Sequence, residues 1–310
     1  MWIRIRLKRF RKEVQPTLRE LRFSVTRIKK SPLSIVGIGI ILFFFAIALL
    51  APILAPTPEG HRDPYIIPRE GFSSIPTPPS EEHPFGTVGT GGQYDIYYGC
   101  IWGTRTAIYV GFAVVGSSVL IALILGSIAG YYGGIIDEVL MRITDVMFAF
   151  PALILAMALV TAFGRSLDSV TRALIIVGWP SYARVIRGEV MSVKGNDYVE
   201  AAKAVGCSDL RVIVRHVLPN SIYPLLIMAS LDIGAIVITV SVLSFLGLGP
   251  PPGFADWGQM ISFSRNWIVE GLKYWYTWTI PGLFIFAFVL GWNLLGDAFR
   301  DVLDPTLRRK

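Results

Sequence analysis

The chain lacks the short patterns by which many soluble enzymes bind phosphate or zinc or present a nucleophilic serine. It has no Gly-Lys dipeptide, so it has no P-loop and cannot hydrolyse ATP by that route. It has neither an H-E-x-x-H nor a G-x-S-x-G pattern, and its histidines are His61, His83 and His216 alone. These absences argue against a membrane metalloenzyme and against a serine hydrolase. We therefore predict no catalytic residue, no bound metal and no cofactor of its own in this chain.

Cysteine and charge are also scarce. The two cysteines, Cys100 and Cys207, stand far apart, which disfavours a disulfide framework and a thiolate metal site. Only 16% of the residues are charged and 53% are hydrophobic. The mean hydropathy is +0.56, well above that of a soluble domain of this length. The composition therefore indicates a membrane protein.

Six apolar runs come close to the roughly 20 residues that a helix needs to cross the hydrocarbon core of a bilayer. They cover residues 33–55, 106–131, 143–162, 170–186, 222–246 and 279–295. The fourth run is the most polar, because it contains Pro180 and has Arg172 and Arg184 near its ends.

Charge on the flanking segments predicts how these runs are oriented. Residues 1–31 carry eleven Lys and Arg against two Glu, so the positive-inside bias places them in the cytoplasm. Residues 56–102 are mainly acidic and belong outside, whereas the C-terminal Arg308-Arg309-Lys310 belongs inside. Six crossings satisfy all three constraints. We predict an all-α, multi-pass protein of the cell (plasma or inner) membrane with six transmembrane helices and both termini in the cytoplasm.

The chain divides into four parts on this scheme. A basic cytoplasmic arm (1–31) precedes the first transmembrane helix (32–55), and a five-helix core (104–310) follows an extracellular connection (56–103). Eight prolines between residues 56 and 84 exclude a helix or a central strand there. A basic arm beside a membrane helix indicates orientation and contact with membrane lipid rather than nucleic-acid binding.

One polar loop, residues 195–219, lies between the fourth and fifth apolar runs and has the pattern of two short helices. Tyr198, Ala201, Ala202 and Val205 share the i, i+3, i+4, i+7 spacing of one helical face. Gly206 can turn the backbone, after which Leu210, Ile213, Val214 and Val217 repeat the spacing. We expect Pro219 to end the second helix. The loop is predicted to be a helix–glycine–helix elbow that docks on another protein.

The elbow resembles the EAA loop of ABC importer permeases in its Glu200-Ala201-Ala202, the Gly206 that follows after three intervening residues, and Leu218-Pro219. In that family the loop is the coupling helix that sits in a groove of a cytoplasmic ATPase. The small Ala201 and Ala202 permit close approach, and Glu200 offers a carboxylate to a partner cation. The resemblance implies an ATPase-coupling role for Glu200, Ala201, Ala202, Lys203, Val205, Gly206, Asp209, Leu210 and Arg211.

Further segments resemble the C-type subunit of the dipeptide/oligopeptide branch. They are His83-Pro84-Phe85-Gly86-Thr87, Arg142-Ile143-Thr144-Asp145, residues 243–249, Asp256-Trp257-Gly258-Gln259-Met260 and residues 293–305. Val88, residues 91–95 and Val240 depart from the branch pattern. The resemblance implies a type I ABC importer permease fold, a second homologous permease, two ATPase subunits that carry ATP and Mg²⁺, and an extracytoplasmic substrate-binding protein.

The sequence leaves open the identity of the cargo and the role of one residue, Asp232. The branch imports dipeptides or oligopeptides, but also oligosaccharides and nickel. An ion-coupled secondary transporter is the alternative from another class, and it would need a coupling-ion site of its own. Asp232 lies about ten residues into the fifth run, where it either lines a translocation pathway or bonds to a neighbouring helix. Arg142 and Asp145 are expected to form an i, i+3 pair.

Overall fold

A computed structural model describes residues 31–60, 62–89 and 92–303. The basic arm up to residue 30, His61 and the basic C-terminal residues lie outside the described part of the chain. Helices dominate what is described. They are α1 (Pro32–Leu54), α2 (Ile96–Tyr132), α3 (Gly134–Phe148), α4 (Ala152–Phe163), α5 (Leu167–Lys194), α6 (Asp197–Ala204), α7 (Asp209–Val212), α8 (Leu218–Ser221), α9 (Tyr223–Phe245), α10 (Trp257–Phe263), α11 (Arg265–Ile268) and α12 (Tyr276–Leu303), with a π-helical turn at Ile213–Val217 and a 3-10 turn at Gly271–Tyr274.

Among the described residues, four helices, α1, α2, α9 and α12, are long and apolar enough to cross a membrane. The predicted third span is not one continuous helix, because α3 and α4 meet at an angle of 88°. Pro151 stands at that break, where its ring restricts the preceding residue and removes a backbone donor. The predicted fourth span is the 28-residue α5, which is long enough but too polar to meet the same criterion.

The connection between α1 and α2 contains a small antiparallel sheet. Its strands are β1 (Arg69–Glu70), β2 (Thr87–Val88) and β3 (Gln93–Asp95), in the order β1-β3-β2. The strand within the proline-rich stretch is thus an edge strand, as the sequence requires. Asp95 then begins α2 as its N-cap, since its Oδ1 accepts the Tyr98 amide at 2.8 Å. The helix therefore begins eight residues before the predicted start of the core at residue 104.

The His83–Thr87 segment contacts the start of α2 and stabilises it. His83 Nδ1 lies 2.7 Å from Asp95 Oδ2, so the motif histidine bonds to the residue that caps α2. Residues 93–95, where the sequence departs from the branch pattern, therefore form β3, and Asp95 among them is the N-cap of α2.

The end of the core next to the connection between α1 and α2 is built around Trp257, which is almost fully buried. Its ring packs against Phe284 and Phe288 of α12 at centroid distances of 5.8 and 5.7 Å, and its Nε1 donates to the carbonyl of Cys100 on α2 at 3.0 Å. The preceding Asp256 caps α10 by accepting the Gly258 amide at 3.1 Å. Burial raises the pKa of the Asp256 carboxyl to about 6.

The opposite end of the core depends on close packing of α2 against α5. A Cβ placed at Gly126 would lie 2.6 Å from the carbonyl oxygen of Ala183, and one at Gly130 would lie 2.7 Å from that of Arg187. Only glycine permits this approach, which is typical of G-x-x-x-G contacts between membrane helices. The two helices therefore run together to the elbow.

Candidate functional site: the elbow and the cavity beside Asp232

The predicted elbow is present, with α6 and α7 joined at Gly206. Gly206 has a φ of 83°, in the left-handed region that favours glycine. The second half of the elbow differs from the prediction. After α7 the chain passes through a π-helical turn, and Pro219 lies in the first turn of α8 instead of ending a helix. A proline lacks only an amide donor that the first helical turn does not use, so it is accommodated there.

The buried residues of the elbow coincide only in part with the apolar faces that the spacing marked. Val199 and Ala202 of α6 are buried, and so are Val212, Ile213 and Val217 of the second half. Ala202, which we expected on the docking surface, therefore packs inward, and only Ala201 of the small pair is exposed. The helical spacing identified apolar positions but could not tell which of them meet the rest of the chain.

The outward face is unusually apolar for a loop in water. Val205 is 81% exposed and Leu210 is 72% exposed, on either side of Gly206. Glu200, Lys203 and Arg211 are also exposed and surround this tip with charge. An apolar tip with a charged rim is the arrangement of a protein-docking surface.

A latch of side chains ties the elbow to the end of α2. Tyr131 donates its hydroxyl to Asp209 Oδ1 at 2.7 Å, and Lys203 Nζ lies 4.8 Å from the centre of the Tyr131 ring. Lys194 Nζ donates to the carbonyls of Gly130 and Tyr131 at 2.9 and 3.1 Å. Cations are favourable at a helix C-terminus, where carbonyls lack partners. Lys203 and Asp209, both predicted to serve the ATPase, are thus also the elbow's attachment to the bundle.

Two arginines fasten α5 to α3 just above the elbow. Arg187 pairs with Asp137 through two parallel hydrogen bonds, and Arg184 pairs with Asp145. Bidentate arginine–carboxylate pairs fix geometry as well as distance. The prediction of an Arg142–Asp145 pair is wrong. Arg142 Nη2 instead lies 3.8 Å from Glu138 Oε1 on an exposed helix face.

A cavity of about 160 Å³ with a mixed apolar and polar lining lies between α2, α5 and α9. Asp232 is in its wall, and its Oδ2 accepts the Tyr182 hydroxyl of α5 at 2.5 Å. The remaining lining is formed by Val114, Val115, Ser118, Gly178, Ser181, Ala235, Ile236 and Thr239. Of the two roles left open for Asp232, the bond to a neighbouring helix is present, and the carboxylate also faces this cavity. Its place in a translocation pathway stays a prediction.

The cavity and the elbow share two helices. Ser118 of α2 lines the cavity, and Tyr131 of the same helix reaches the elbow about 20 Å further along the axis. On α5, Tyr182 lines the cavity and Lys194 lies beside the elbow. Rigid helices can carry a displacement from one place to the other.

Comparison with known proteins agrees with this architecture. A family model described as "Binding-protein-dependent transport system inner membrane component" matches residues 122–309, which include the elbow and Asp232. The chain belongs to this family. A second model, the N-terminal TM domain of oligopeptide transport permease C, matches residues 22–70. The chain is a permease subunit of the ABC importer type and a multi-pass inner-membrane protein, which confirms the resemblance found in the sequence.

Curated relatives of this permease align along nearly its whole length. The dipeptide transport system permease protein DppC of Alkalihalophilus pseudofirmus is 38% identical over 93% of this chain and 90% of the relative. The probable D,D-dipeptide transport system permease protein DdpC of Escherichia coli is 37% identical over 91% and 90%. The oligopeptide transport system permease protein OppC of Bacillus subtilis is 33% identical over 92% and 90%.

The solved structures support the fold of the permease. An inward-facing MetNI methionine ABC transporter gives a TM-score of 0.54 at 16% identity, over 66% of this chain and 96% of that one. At that identity the likeness shows the fold alone, which confirms the predicted ABC importer permease fold.

Sequence reasoning missed Tyr131, Asp137 and Arg187. Asp137 and Arg187 are charged residues near the ends of apolar runs, which is a signal that they have partners. Asp137 and Arg187 are 50 residues apart in sequence, and Tyr131 is 78 residues from Asp209, so no spacing rule could have found either contact.

Proposed function

We propose that this permease is one of two homologous transmembrane subunits of an ATP-driven importer of dipeptides or oligopeptides. Two cytoplasmic ATPase subunits would bind ATP and Mg²⁺ and dock on the elbows, and an extracytoplasmic binding protein would deliver the cargo. The relatives named above are dipeptide and oligopeptide permeases, and this supports peptides over oligosaccharides or nickel. Six crossings, with α5 as the fourth, and cytoplasmic termini are part of the proposal.

The single observation that carries the coupling role is the elbow's exposed apolar tip. A loop that leaves Val205 and Leu210 in water gains free energy when a partner covers them, about 25 cal/mol for each Å² of apolar surface. Glu200 and Arg211 in the charged rim can pair with groups on that partner. An ion-coupled secondary transporter has no need of such a surface.

The proposed mechanism is alternating access. Closure of the ATPases on ATP would move α6 and α7, and the Tyr131–Asp209 latch would pass this movement to α2. Lys194 and the Arg187–Asp137 pair would move α5 and α3 with it. Because α2 and α5 also line the cavity, its exposure would change with the state of the ATPases.

ATPase stimulation in reconstituted vesicles tests the function. The vesicles would contain this permease, its partner permease, the ATPases and the binding protein, loaded in turn with peptides, oligosaccharides and Ni²⁺. We expect peptides to stimulate ATP hydrolysis and to accumulate inside. Stimulation by sugars or Ni²⁺ alone would refute peptide import, and uptake without ATP hydrolysis would favour the secondary transporter.

A further inference from the structure

We propose that the cavity beside Asp232 is a transient binding site for the α-ammonium group of a peptide in transit. This inference rests on the proposed import of peptides, which it extends by naming the part of the substrate that is recognised and the residue that recognises it.

The depth of Asp232 within α9 indicates that its carboxylate has a function. Asp232 is the tenth residue of α9, so it lies roughly 14 Å along the axis from the helix start, close to the middle of the span. An ionisable group at that depth is costly and usually faces a partner or a pathway. Within the described residues, none of the ion pairs supplies Asp232 with an arginine or lysine. The side chain therefore offers a negative charge to a cation that comes from elsewhere.

The hydrogen bonds of Asp232 leave part of it available. The Tyr182 hydroxyl occupies Oδ2, and this bond holds the carboxylate against the wall of α5. In the described part of the chain, Oδ1 receives no hydrogen bond. A carboxylate oxygen is a strong acceptor, and an ammonium carries three donors. Tyr182 is thus a positioning residue, and Oδ1 is the oxygen that would receive the ligand.

The rest of the lining suits the other two ammonium protons. Ser118, Ser181 and Thr239 bring hydroxyl groups to the same cavity. Thr239 donates its own proton to the Ala235 carbonyl at 3.0 Å, so its oxygen remains an acceptor. Val114 and Ile236 add apolar surface beside these groups, and an interaction between charges is stronger where the surroundings are less polar.

The size of the cavity selects a terminal group and not a whole substrate. A volume of about 160 Å³ is below the roughly 300 Å³ of ordinary ligand pockets. It accommodates an ammonium group and the first part of a side chain, while the remaining peptide would lie outside it. The free C-terminal carboxylate of a peptide would be repelled by Asp232, so the site favours the amino end.

A metal ion suits the site less well. A divalent cation in an all-protein site needs several nitrogen, oxygen or sulfur ligands. Among the described residues, no group of three His, Cys, Asp or Glu side chains could hold one. A sugar would use the hydroxyls but would leave the carboxylate without a counter-charge. A peptide supplies the cation that the site lacks.

The test compares two forms of one cargo in the complete reconstituted importer. The probes are a dipeptide with a free amino group and its N-acetyl derivative, each presented by the same binding protein to wild-type and Asp232→Asn complexes. We expect the variant to lower uptake of the free dipeptide by about tenfold or more, the scale of a hydrogen-bonded charge, with uptake of the N-acetyl form unchanged. The binding protein's own preference cancels, because both complexes receive the same loaded protein.

Two further measurements guard the interpretation. Asp232→Glu keeps the charge and should restore the preference for the free amino group. If the Asn variant does not assemble, the wild-type uptake ratio of the two probes is compared with the ratio of their affinities for the isolated binding protein, and we expect uptake to discriminate more strongly.

The outcomes separate this inference from the proposed function. An equal loss of both probes in Asp232→Asn, or a wild-type uptake ratio equal to the affinity ratio, would overturn the ammonium site while peptide import stood. A selective loss of Ni²⁺ uptake in that variant would also overturn it. A wild-type complex that imports neither probe would refute peptide import itself.

Discussion

Replacing Gly206 with alanine should weaken coupling through backbone strain alone. Gly206 has a φ of 83°, and a Cβ added there meets no atom within 4 Å. The substitution therefore causes no steric clash, and its cost is that of placing an L-residue in the left-handed region, about 1–2 kcal/mol. The elbow can relieve this strain by rotating φ, which would turn α7 away from α6 and separate Val205 from Leu210.

The chain offers a matched control in Gly164, between α4 and α5. Gly164 has a φ of 90°, and its added Cβ also meets nothing within 4 Å. Gly164 has a ψ of 158°, in a region that only glycine occupies readily, so Gly164→Ala should impose at least as much strain, at a site that is remote from the elbow. A general loss of stability would affect Gly164→Ala at least as strongly, whereas a defect in coupling would affect Gly206→Ala alone.

The expected magnitude follows from the strain. One to two kcal/mol changes an equilibrium by roughly 5- to 30-fold. We expect Gly206→Ala to lower uptake per ATP hydrolysed by up to that range, with insertion intact, while Gly164→Ala stays near wild type. Uptake and ATP hydrolysis are measured in the same vesicles, and thermal unfolding of the two complexes checks that Gly164→Ala is destabilised at least as much. Equal uptake per ATP in both variants would refute a mechanical role for the elbow's turn.

Three further predictions address docking, the latch and buried charge. Val205→Asp should abolish co-purification of the ATPases because it puts a charge on the apolar tip. Val269→Asp, at an equally exposed valine outside the elbow, should leave co-purification intact. Retention of the ATPases by Val205→Asp would contradict docking at the tip. Tyr131→Phe should lower uptake per ATP severalfold because it removes the hydroxyl that bonds to Asp209 of the elbow. The control Tyr132→Phe, at the exposed neighbouring tyrosine, should have no effect. Equal results in the two variants would exclude a coupling role for the Tyr131–Asp209 hydrogen bond. The pKa of Asp256 is raised by burial from 3.8 to about 6, so its contribution to stability is present below about pH 4 and is lost as the pH rises through 6. Asp256→Asn should remove that part of the pH dependence of thermal unfolding between pH 4 and 7, and an unchanged profile would show that the burial does not matter.

The sequence by itself determined the class of this protein. Long apolar runs must become helices in a bilayer because the backbone has no other way to satisfy its hydrogen bonds there. The order of Glu200-Ala201-Ala202 and Gly206 was enough to place a helix–glycine–helix elbow, since glycine alone turns the chain cheaply. These features depend on residues that are neighbours in sequence, so composition and spacing reveal them.

The tertiary structure decided which side chains meet. Periodicity marked Ala202 as apolar, but only the packing of α6 showed that it faces inward while Val205 faces water. Tyr182 and Asp232 are 50 residues apart, and their bond exists because α5 and α9 lie side by side. The bend at Pro151 likewise depends on how α3 and α4 pack, since a proline inside an apolar run can also be absorbed by a continuous helix, as Pro180 is in α5. Contacts between distant segments follow from the packing of whole helices, which no local pattern contains.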